Sequence, residues 1–458
     1  MIKTEDRATV QSPASSTSGQ VTRLVSELER LLREPGCPAC SYVGEIERSF
    51  FSWFQIESFS SPQVQGRLRA ALGMCPPHSR RLVEELGGGH IMTTVVREAL
   101  AGALHHVRGD TQTGTCPACE AVEAGSRRGC RLVLDGLLEP AMTRLYSDHG
   151  GMCLVHVLQS LPVVDPPTLT LLTERLLARL REPEGPGLPT VLAGSDDDAR
   201  RRALWREKLP AIPHNGSTID RLREIIEIDA CPVCLSAGVA ERDYLDWFST
   251  RSAAGDDSLG SDPGEFCPGH LHDIAHAHTT RSPGLAIDHK RAARIAQLER
   301  FLARLSNLPA PSKRGRRSKP DALDHVRAEL LATPYCAVCN ARDGAERARL
   351  DLVTASLALA SVRDRYDRSH GLCARHAMQM ADGHAARAAR RHLDGRLAVL
   401  AWEVSETARK YGWAYRHETS GPEHDAWARA LAQIDGRVFV GAPAPLPADQ
   451  VPDSPQPQ

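Results

Sequence analysis

The sequence has no long apolar segment, since none of its apolar runs approaches the ~18 residues needed to cross a bilayer. Residues 1–20 are polar and rich in Ser and Thr, with neither the apolar centre of a signal peptide nor the Arg-rich pattern of a transit peptide. An excess of charge is also missing, because 56 basic residues face 57 acidic ones. These absences predict a cytoplasmic protein that is not attached to a membrane. They also predict that it has no overall positive charge to attract nucleic acid.

Alternating β-branched residues of the kind that form strands are scarce, which predicts an all-α fold. The His-Glu-x-x-His, P-loop and Gly-x-Ser-x-Gly patterns of common enzymes are absent, and no pair of carboxylates stands out as catalytic. The 458 residues, 41% of them apolar, are enough for several small domains at ~150 residues per domain. We therefore favour a globular protein that is not an enzyme.

Cysteine is the residue that is plentiful. There are thirteen, and in a reducing compartment they indicate metal binding before disulfides. Twelve fall into four copies of one cassette, Cys-x-x-Cys followed by Cys-x-x-His, with 34, 33, 32 and 33 residues between the second and third cysteines. Cassette 1 has Cys37, Cys40, Cys75 and His78; cassette 2 has Cys116, Cys119, Cys153 and His156; cassette 3 has Cys231, Cys234, Cys267 and His270; cassette 4 has Cys336, Cys339, Cys373 and His376. Such constancy indicates a repeat.

Positions other than the ligands also match between cassettes. Counting from the second Cys, an Arg stands at the eighth position and large apolar residues at the thirteenth and fourteenth, namely Arg48, Arg127, Arg242, Arg347, Trp53, Leu132, Trp247, Leu352, Phe54, Val133, Phe248 and Val353. The apolar pair predicts that each segment buries the same face. Gly73, Gly151 and Gly371 stand two residues before their third Cys, which predicts a tight turn, and Glu265 is the exception.

Apolar residues at helical spacing predict helices around the motifs. Thr218–Asp229 is one, with Ser217 or Thr218 as its N-cap, and Val21–Leu32 and Ala322–Leu331 precede their Cys pairs in the same way. Arg294–Leu305 and Arg387–Arg409 are predicted to follow cassettes 3 and 4. Each module should thus contain a leading helix, a Cys-x-x-Cys turn, two helices, and a Cys-x-x-His turn that opens a further helix.

The composition predicts the boundaries of these modules. Connectors rich in Pro, Gly and charge separate the later copies, and the chain ends in repeated Pro. The predicted organisation is a disordered N-terminus at 1–20, modules at 21–109, 110–181, 206–308 and 322–436, linkers at 182–205 and 309–321, and a disordered Pro-rich tail at 437–458.

The ligand chemistry favours zinc. Structural zinc takes four N or S ligands in a tetrahedron, and each half of a cassette supplies two of them at a spacing that reaches one ion. We therefore predict four zinc ions, each held by the three Cys and one His of its own cassette. Three thiolates leave such a site with one net negative charge, and the Arg at the eighth position either donates to sulfur or lies on a solvated helix face.

Other interpretations compete with zinc. The cysteines could be small core residues, which four matched sets argue against, or a thioredoxin-like dithiol, which needs no distant Cys-x-x-His. An iron–sulfur cluster is the stronger rival, because three Cys and one His can also hold iron. Cys130 stands apart at an offset occupied elsewhere by Phe51, Leu245 and Leu350, which predicts an inert buried thiol.

The cassette resembles one found in a group of bacterial proteins of unknown activity, which carry one or two copies. The resemblance lies in Cys-Pro-x-Cys, a helix with Glu-Arg and bulky apolar residues, and Gly-[Met/Leu]-Cys-x-x-His. Cassettes 1 and 4 match it best, cassette 2 lacks Glu before Arg127, and cassette 3 has Glu265 in place of Gly. It covers the modules and not the linkers, and it implies a metal site without an activity.

Together these features predict a zinc-binding helical repeat protein that acts as a binding or scaffold module for a protein partner of unknown identity. One alternative is an iron–sulfur protein for redox or electron transfer. Another is a nucleic-acid-associated regulator, in which the basic run Lys313–Lys319 contacts the nucleic acid, although a solvated linker is the simpler interpretation of that run.

Overall fold

The computed structural model describes residues 16–181, 217–254 and 336–436, apart from 87–88, 110–113, 149–150 and 162, and scattered residues between 209 and 304. Within these ranges the chain is helical and contains no β-strand, which confirms the all-α prediction. Residues 1–15, both predicted linkers, the tail 437–458, the helix predicted at Ala322–Leu331 and half of the residues in Arg294–Leu305 lie outside the described part.

The described part contains the following helices, numbered in chain order. They are α1 Ser16–Arg33, α2 Pro38–Trp53, α3 Pro62–Ala70, α4 Pro76–Leu86, α5 His90–Val107, α6 Pro117–Gly136, α7 Pro140–Asp148, α8 Leu154–Ser160, α9 Pro166–Arg181, α10 Thr218–Glu227, α11 Pro232–Ala253, α12 Ala337–Ser356, α13 Ala360–Tyr366, α14 Ala374–Gln379, α15 His384–Lys410 and α16 Ala426–Asp435. A π-turn, Phe54–Ser58, continues α2, and a 3₁₀ turn, Pro422–Asp425, precedes α16. None of the described helices is both long and apolar enough to cross a membrane.

Local sequence explains where several helices begin. Helix α10 starts after Ser217, whose hydroxyl accepts a hydrogen bond from the backbone N–H of Asp220 at 3.2 Å. Pro232 occupies the first turn of α11, where its fixed φ and missing N–H cost nothing. The predicted helices at Thr218–Asp229, Val21–Leu32 and Arg387–Arg409 are confirmed within a few residues at each end.

The chain divides into two compact units. Unit 1 comprises Met1–Glu45, Ala124–Asp196 and Ile287–Thr333, and unit 2 comprises Ile46–Glu123, Asp197–Ala286 and Pro334–Gln458. In unit 2, α11 packs along α12, while α5 packs against α3, α15 and α16. These contacts build one extended apolar core from helices that are far apart in sequence.

The repeated apolar positions have different environments. The fourteenth residue after the second Cys is fully buried in all four cassettes, as predicted, in Phe54, Val133, Phe248 and Val353. The thirteenth differs from the prediction in cassettes 1 and 3, where Trp53 is 43% and Trp247 41% exposed. Successive residues on a helix point about 100° apart, so the core side of the helix holds the second residue of the pair better than the first.

Candidate metal centres

The structure brings the sixteen predicted ligands together into four clusters of three Cys and one His. Cluster I contains Cys37, Cys40, Cys153 and His156; cluster II contains Cys75, His78, Cys116 and Cys119; cluster III contains Cys231, Cys234, Cys373 and His376; cluster IV contains Cys267, His270, Cys336 and Cys339. Cluster I lies in unit 1 and the other three in unit 2. Each cluster has the composition of a site for one metal ion.

The grouping of the ligands differs from the prediction, which placed each set within one cassette. Every cluster takes its Cys-x-x-Cys from one cassette and its Cys-x-x-His from another, with cassettes 1 and 2 exchanging halves and cassettes 3 and 4 doing the same. The closest sulfurs of cluster III, Cys234 and Cys373, are 139 positions apart. The four clusters thus connect cassettes in pairs and do not close each cassette on itself.

The position of His376 along α12 explains the exchange in cassette 4. Helix α12 has 20 residues, about 30 Å, and begins at the Cys-x-x-Cys pair. The ring of His376 lies beside Glu346, partway along this helix. That position is seven residues after Cys339, about 10 Å along the helix, which is too far for both halves to reach one ion.

The distances within the clusters fit a single tetrahedral ion. The Nδ1 atom of each His lies 3.1–3.6 Å from the three sulfurs of its cluster. The closest sulfurs of different cassettes are 3.4–3.8 Å apart. A tetrahedron with Zn–S of ~2.3 Å and Zn–N of ~2.0 Å has edges of roughly 3.5–3.8 Å. All thirteen cysteines are free thiols, so the sulfurs are close without being bonded.

Helix starts place both halves of each site. The first Cys of a pair directly precedes α2, α6, α11 or α12, and the third Cys directly precedes α4, α8 or α14 in the three cassettes whose helix here is fully described. At Cys336 the sulfur accepts the backbone N–H of Cys339 at 3.4 Å. Unpaired N–H groups and the positive end of a helix stabilise a thiolate over a thiol, as metal binding requires.

The pKa values in cluster II show how its charge is arranged. A hydrogen bond from Cys75, opposed by burial and aided by one from His78, lowers the pKa of Cys116 to about 3. Burial opposes a charge on His78, but hydrogen bonds with Cys116 and Glu47 raise its pKa to about 9. The equivalent residues of cluster IV have the same two values. At neutral pH His78 carries a proton that a metal ion must displace, so the metal affinity of cluster II should increase with pH through the neutral range.

A polar side chain lies beside the second ring nitrogen of each ligand histidine, and its role was not predicted from the sequence. The Nε2 atom lies 3.4 Å from Glu47 in His78, 3.5 Å from Glu241 in His270, 3.3 Å from Glu346 in His376 and 3.1 Å from Ser126 in His156. All four residues stand seven positions after the second Cys of the histidine's own cassette. This fixed offset was available as a signal. At His78, His270 and His156 the contact holds the ring with Nδ1 facing the sulfurs. The Nε2 atom of His376 has no hydrogen bond, so Glu346 acts there through its charge.

The Arg at the eighth position was predicted either to donate to sulfur or to lie on a solvated helix face. In cassette 3, Arg242 instead pairs with Asp243 at 3.1 Å and donates to the carbonyl of Leu209 at 3.5 Å. Its neighbour Glu241 is the residue that reaches the histidine. The basic run Lys313–Lys319 lies outside the described residues.

Removing one supporting carboxylate should weaken one site. Glu241→Ala should lower the metal affinity of cluster IV by about 10- to 100-fold, because His270 loses the partner that orients it. Glu241→Gln, which keeps an acceptor, should lose less, and Asp243→Ala on the exposed side of the same helix should change nothing. Competition with a chromogenic chelator measures these affinities. Equal affinity in Glu241→Ala and the parent would show that the carboxylate has no such role.

The turn before the third Cys has the predicted geometry. Gly73, Gly151 and Gly371 have φ values of +95°, +79° and +70°, which confirms the turn, since residues with a Cβ rarely adopt this region. In cassette 4 the buried hydroxyl of Tyr366 accepts the N–H of Leu372 at 3.0 Å. Buried Gln433 of α16 donates to the carbonyl of Leu372 at 2.9 Å. The loop that delivers Cys373 is therefore held on both sides.

Gly436 closes cluster III from the other side. It ends α16 with a φ of +72°, and a Cβ placed there would overlap the sulfurs of Cys234 and Cys373. The backbone at the end of α16 thus lies directly on the cluster. Only glycine fits both the conformation and the space.

The Gly436→Ala variant should lose most of the metal at cluster III. The left-handed conformation costs about 1–2 kcal/mol for a residue with a Cβ, and the new methyl group must also push two ligand sulfurs apart. We expect close to three bound ions per chain instead of four, measured by elemental analysis. Gly395→Ala is the matched control, because nothing lies within 4 Å of its added Cβ. Full metal content in Gly436→Ala would contradict the close approach.

Cys130 lies outside all four clusters and is buried, as predicted. Its sulfur contacts the carbonyl of His156 at 3.7 Å and burial raises its pKa. Cys130→Ala should therefore leave the metal content unchanged and cost about 1 kcal/mol of unfolding free energy, measured by denaturant titration. A loss of metal in this variant would mean that the ligands of cluster I are assigned wrongly.

No family model, curated protein or solved structure matches this chain. The motif resemblance to bacterial proteins with one or two cassettes consequently stays a prediction.

Proposed function

We propose that this chain is a structural zinc protein, in which each of four ions joins two cassettes and holds a helical scaffold together for a protein partner. The observation that carries the proposal is the exchange of half-sites, because a cluster made from two cassettes connects distant parts of the chain. In cluster I the joined residues Cys40 and Cys153 are 113 positions apart. Closing such a long loop is costly for a flexible chain, so an ion that binds only the closed form stabilises the fold.

A structural role is favoured over a catalytic one because every cluster offers a complete set of four ligands. Catalytic zinc sites have three protein ligands and keep a position open for water or substrate. Three members of cluster I and three of cluster III are buried. With all four positions taken by protein, no coordination position is left open for a reacting molecule.

Zinc is favoured over an iron–sulfur cluster by the size of the sites. The four ligand atoms of each set all lie within 4.8 Å of one another. The protein ligands of an iron–sulfur cluster bind different iron atoms and surround several inorganic atoms, so they must lie further apart than the ligands of one ion. The compact sets therefore support a single ion.

The described surface favours protein over nucleic acid as the partner. The net charge is −1, and at the end of α15 the cations Arg409 and Lys410 are paired with Glu406, Glu418 and Glu423. Large aromatic side chains are exposed in the same region, with Trp402 at 67% and Trp413 at 77%. Tryptophan and arginine dominate the binding energy of many protein interfaces. Duplex DNA should bind weakly at physiological salt.

Elemental analysis of protein purified without oxygen tests the proposal. We expect colourless protein with close to four zinc ions per chain. After exchange with cobalt(II), intense visible absorption should report four tetrahedral sites rich in sulfur. Brown protein that contains iron and acid-labile sulfide would contradict the assignment to zinc and favour the electron-transfer alternative.

A further inference from the structure

The four clusters differ in how far their sulfurs are exposed. In clusters II and IV both members of the closest inter-cassette sulfur pair are partly exposed, Cys75 with Cys119 and Cys267 with Cys339. In clusters I and III the third Cys is completely buried, with Cys153 and Cys373 at 0%. The division follows the repeat, because clusters II and IV both use the Cys-x-x-His of the first cassette in a pair.

A cavity in unit 2 gives small molecules access to residues of clusters II and IV. It has a volume of about 440 Å³, and Cys75 of cluster II and His270 of cluster IV line it. Cys234 of cluster III also reaches the cavity, but its closest sulfur neighbour, Cys373, is fully buried where Gly436 covers both. A small oxidant in the cavity thus reaches Cys75, whose neighbour Cys119 is also partly exposed, whereas the neighbour of Cys234 is buried.

We propose that clusters II and IV are sites of reversible thiol oxidation, at which a peroxide joins Cys75 to Cys119 and Cys267 to Cys339 as disulfides and releases the metal. The inference rests on the proposed function, because it is the bound ion that holds the two sulfurs of each pair together as thiolates. Susceptibility of cysteine to oxidation increases with exposure, and clusters II and IV are the ones in which both members of a close sulfur pair are partly exposed. Clusters I and III are then the permanent part of the scaffold.

The chemistry balances with peroxide as the oxidant. One thiolate attacks an oxygen of hydrogen peroxide, an S–O bond forms, the O–O bond breaks, and hydroxide leaves. The second thiolate then attacks that sulfur, an S–S bond forms, the S–O bond breaks, and a second hydroxide leaves. Two thiolates lose two electrons in total and the peroxide gains them.

The geometry of cluster II suits this reaction. The sulfurs of Cys75 and Cys119 are 3.4 Å apart and must approach to about 2.05 Å. They belong to different segments, the turn before α4 and the first turn of α6, so either segment can move. The disulfide leaves only Cys116 and His78 for the ion, and two ligands do not hold structural zinc. A thiol reductant and zinc should restore the site.

The experiment uses the full chain after its metal content has been measured. Hydrogen peroxide is added in the presence of a chromogenic chelator that reports released zinc. We expect two of four ions to leave quickly and the other two about ten-fold more slowly or not at all. Mass spectrometry after alkylation should identify Cys75–Cys119 and Cys267–Cys339 disulfides.

A variant separates cluster II from the rest. Cys119→His retains a Cys₂His₂ set that can hold zinc but cannot form the disulfide, so rapid release should fall from two ions to about one. Cys130→Ala, which removes a thiol outside the clusters, should still release two. Should the purified chain lack zinc, the proposed function fails before peroxide is added. Release of all four ions at one rate, or disulfides within the Cys-x-x-Cys pairs, would overturn this inference while leaving the zinc assignment intact.

Discussion

The double variant Cys119→Ala/Cys153→Ala should lose two metal ions per chain, whereas Cys75→Ala/Cys119→Ala should lose only one. Cys119 and Cys153 belong to the same cassette but to different clusters, II and I. Cys75 and Cys119 belong to different cassettes and share cluster II. A site left with three or two ligands holds zinc poorly and keeps thiolates without a counter-charge, so each damaged cluster should lose its ion.

Metal stoichiometry by elemental analysis decides this comparison, because the two variants carry the same number of substitutions. Cys130→Ala/Cys119→Ala is a further control and should lose one ion. The opposite pattern, one ion lost from Cys119→Ala/Cys153→Ala and two from Cys75→Ala/Cys119→Ala, would restore the grouping within cassettes. In that case the exchange of half-sites, and the scaffold built on it, would be wrong.

Complete removal of metal should unfold most of the helical structure. Structural zinc contributes apparent binding free energies of about 10–16 kcal/mol per ion in small peptides, which exceeds the stability of most domains. Several helices that carry ligands are short, such as α8 with 7 residues and α14 with 6. Isolated helices of fewer than about 12 residues are marginal in water, so these helices depend on the cluster and the packing around it.

The measurement is far-ultraviolet circular dichroism before and after a strong chelator at neutral pH, with the residual metal determined in the same sample. We expect a large loss of helical signal that returns when zinc is added. The chelator saturated with zinc, which cannot take up more metal, serves as the control for ionic strength. An unchanged spectrum after proven removal of all four ions would show that the apolar core of unit 2 holds the helices without metal.

Each half of every candidate site could be predicted from the sequence, because the ligand spacing is local. Cys-x-x-Cys and Cys-x-x-His each fit within one helical turn, and their repetition identified all sixteen residues that the clusters bring together. The turn at Gly73, Gly151 and Gly371 followed from one fixed offset. The scarcity of strand patterns was enough to predict the all-α fold.

The sequence also divides the cassettes into two kinds, a pattern that does not by itself say which halves meet. Cassettes 1 and 3 share Trp-Phe at the thirteenth and fourteenth positions, where cassettes 2 and 4 have Leu-Val. Tyr146 and Tyr366 stand seven residues before the third Cys in cassettes 2 and 4 only, and each accepts an N–H from the following turn. Cassettes 1 and 3 are therefore of one kind and cassettes 2 and 4 of another, and every cluster takes one half from each kind.

The tertiary structure alone decided which halves meet, which residues support them and how exposed each cluster is. The spacing of the two ligands within a half-site is set by one helical turn. It is the same whichever other half-site completes the cluster. The partner depends on where the Cys-x-x-His turn lies along the first helix of its cassette, and in cassette 4 His376 lies beside Glu346. Gly436 touches Cys234 and Cys373 only because α16 packs back on the core. Contacts of this kind arise from long-range packing of helices, which no pattern within one turn encodes.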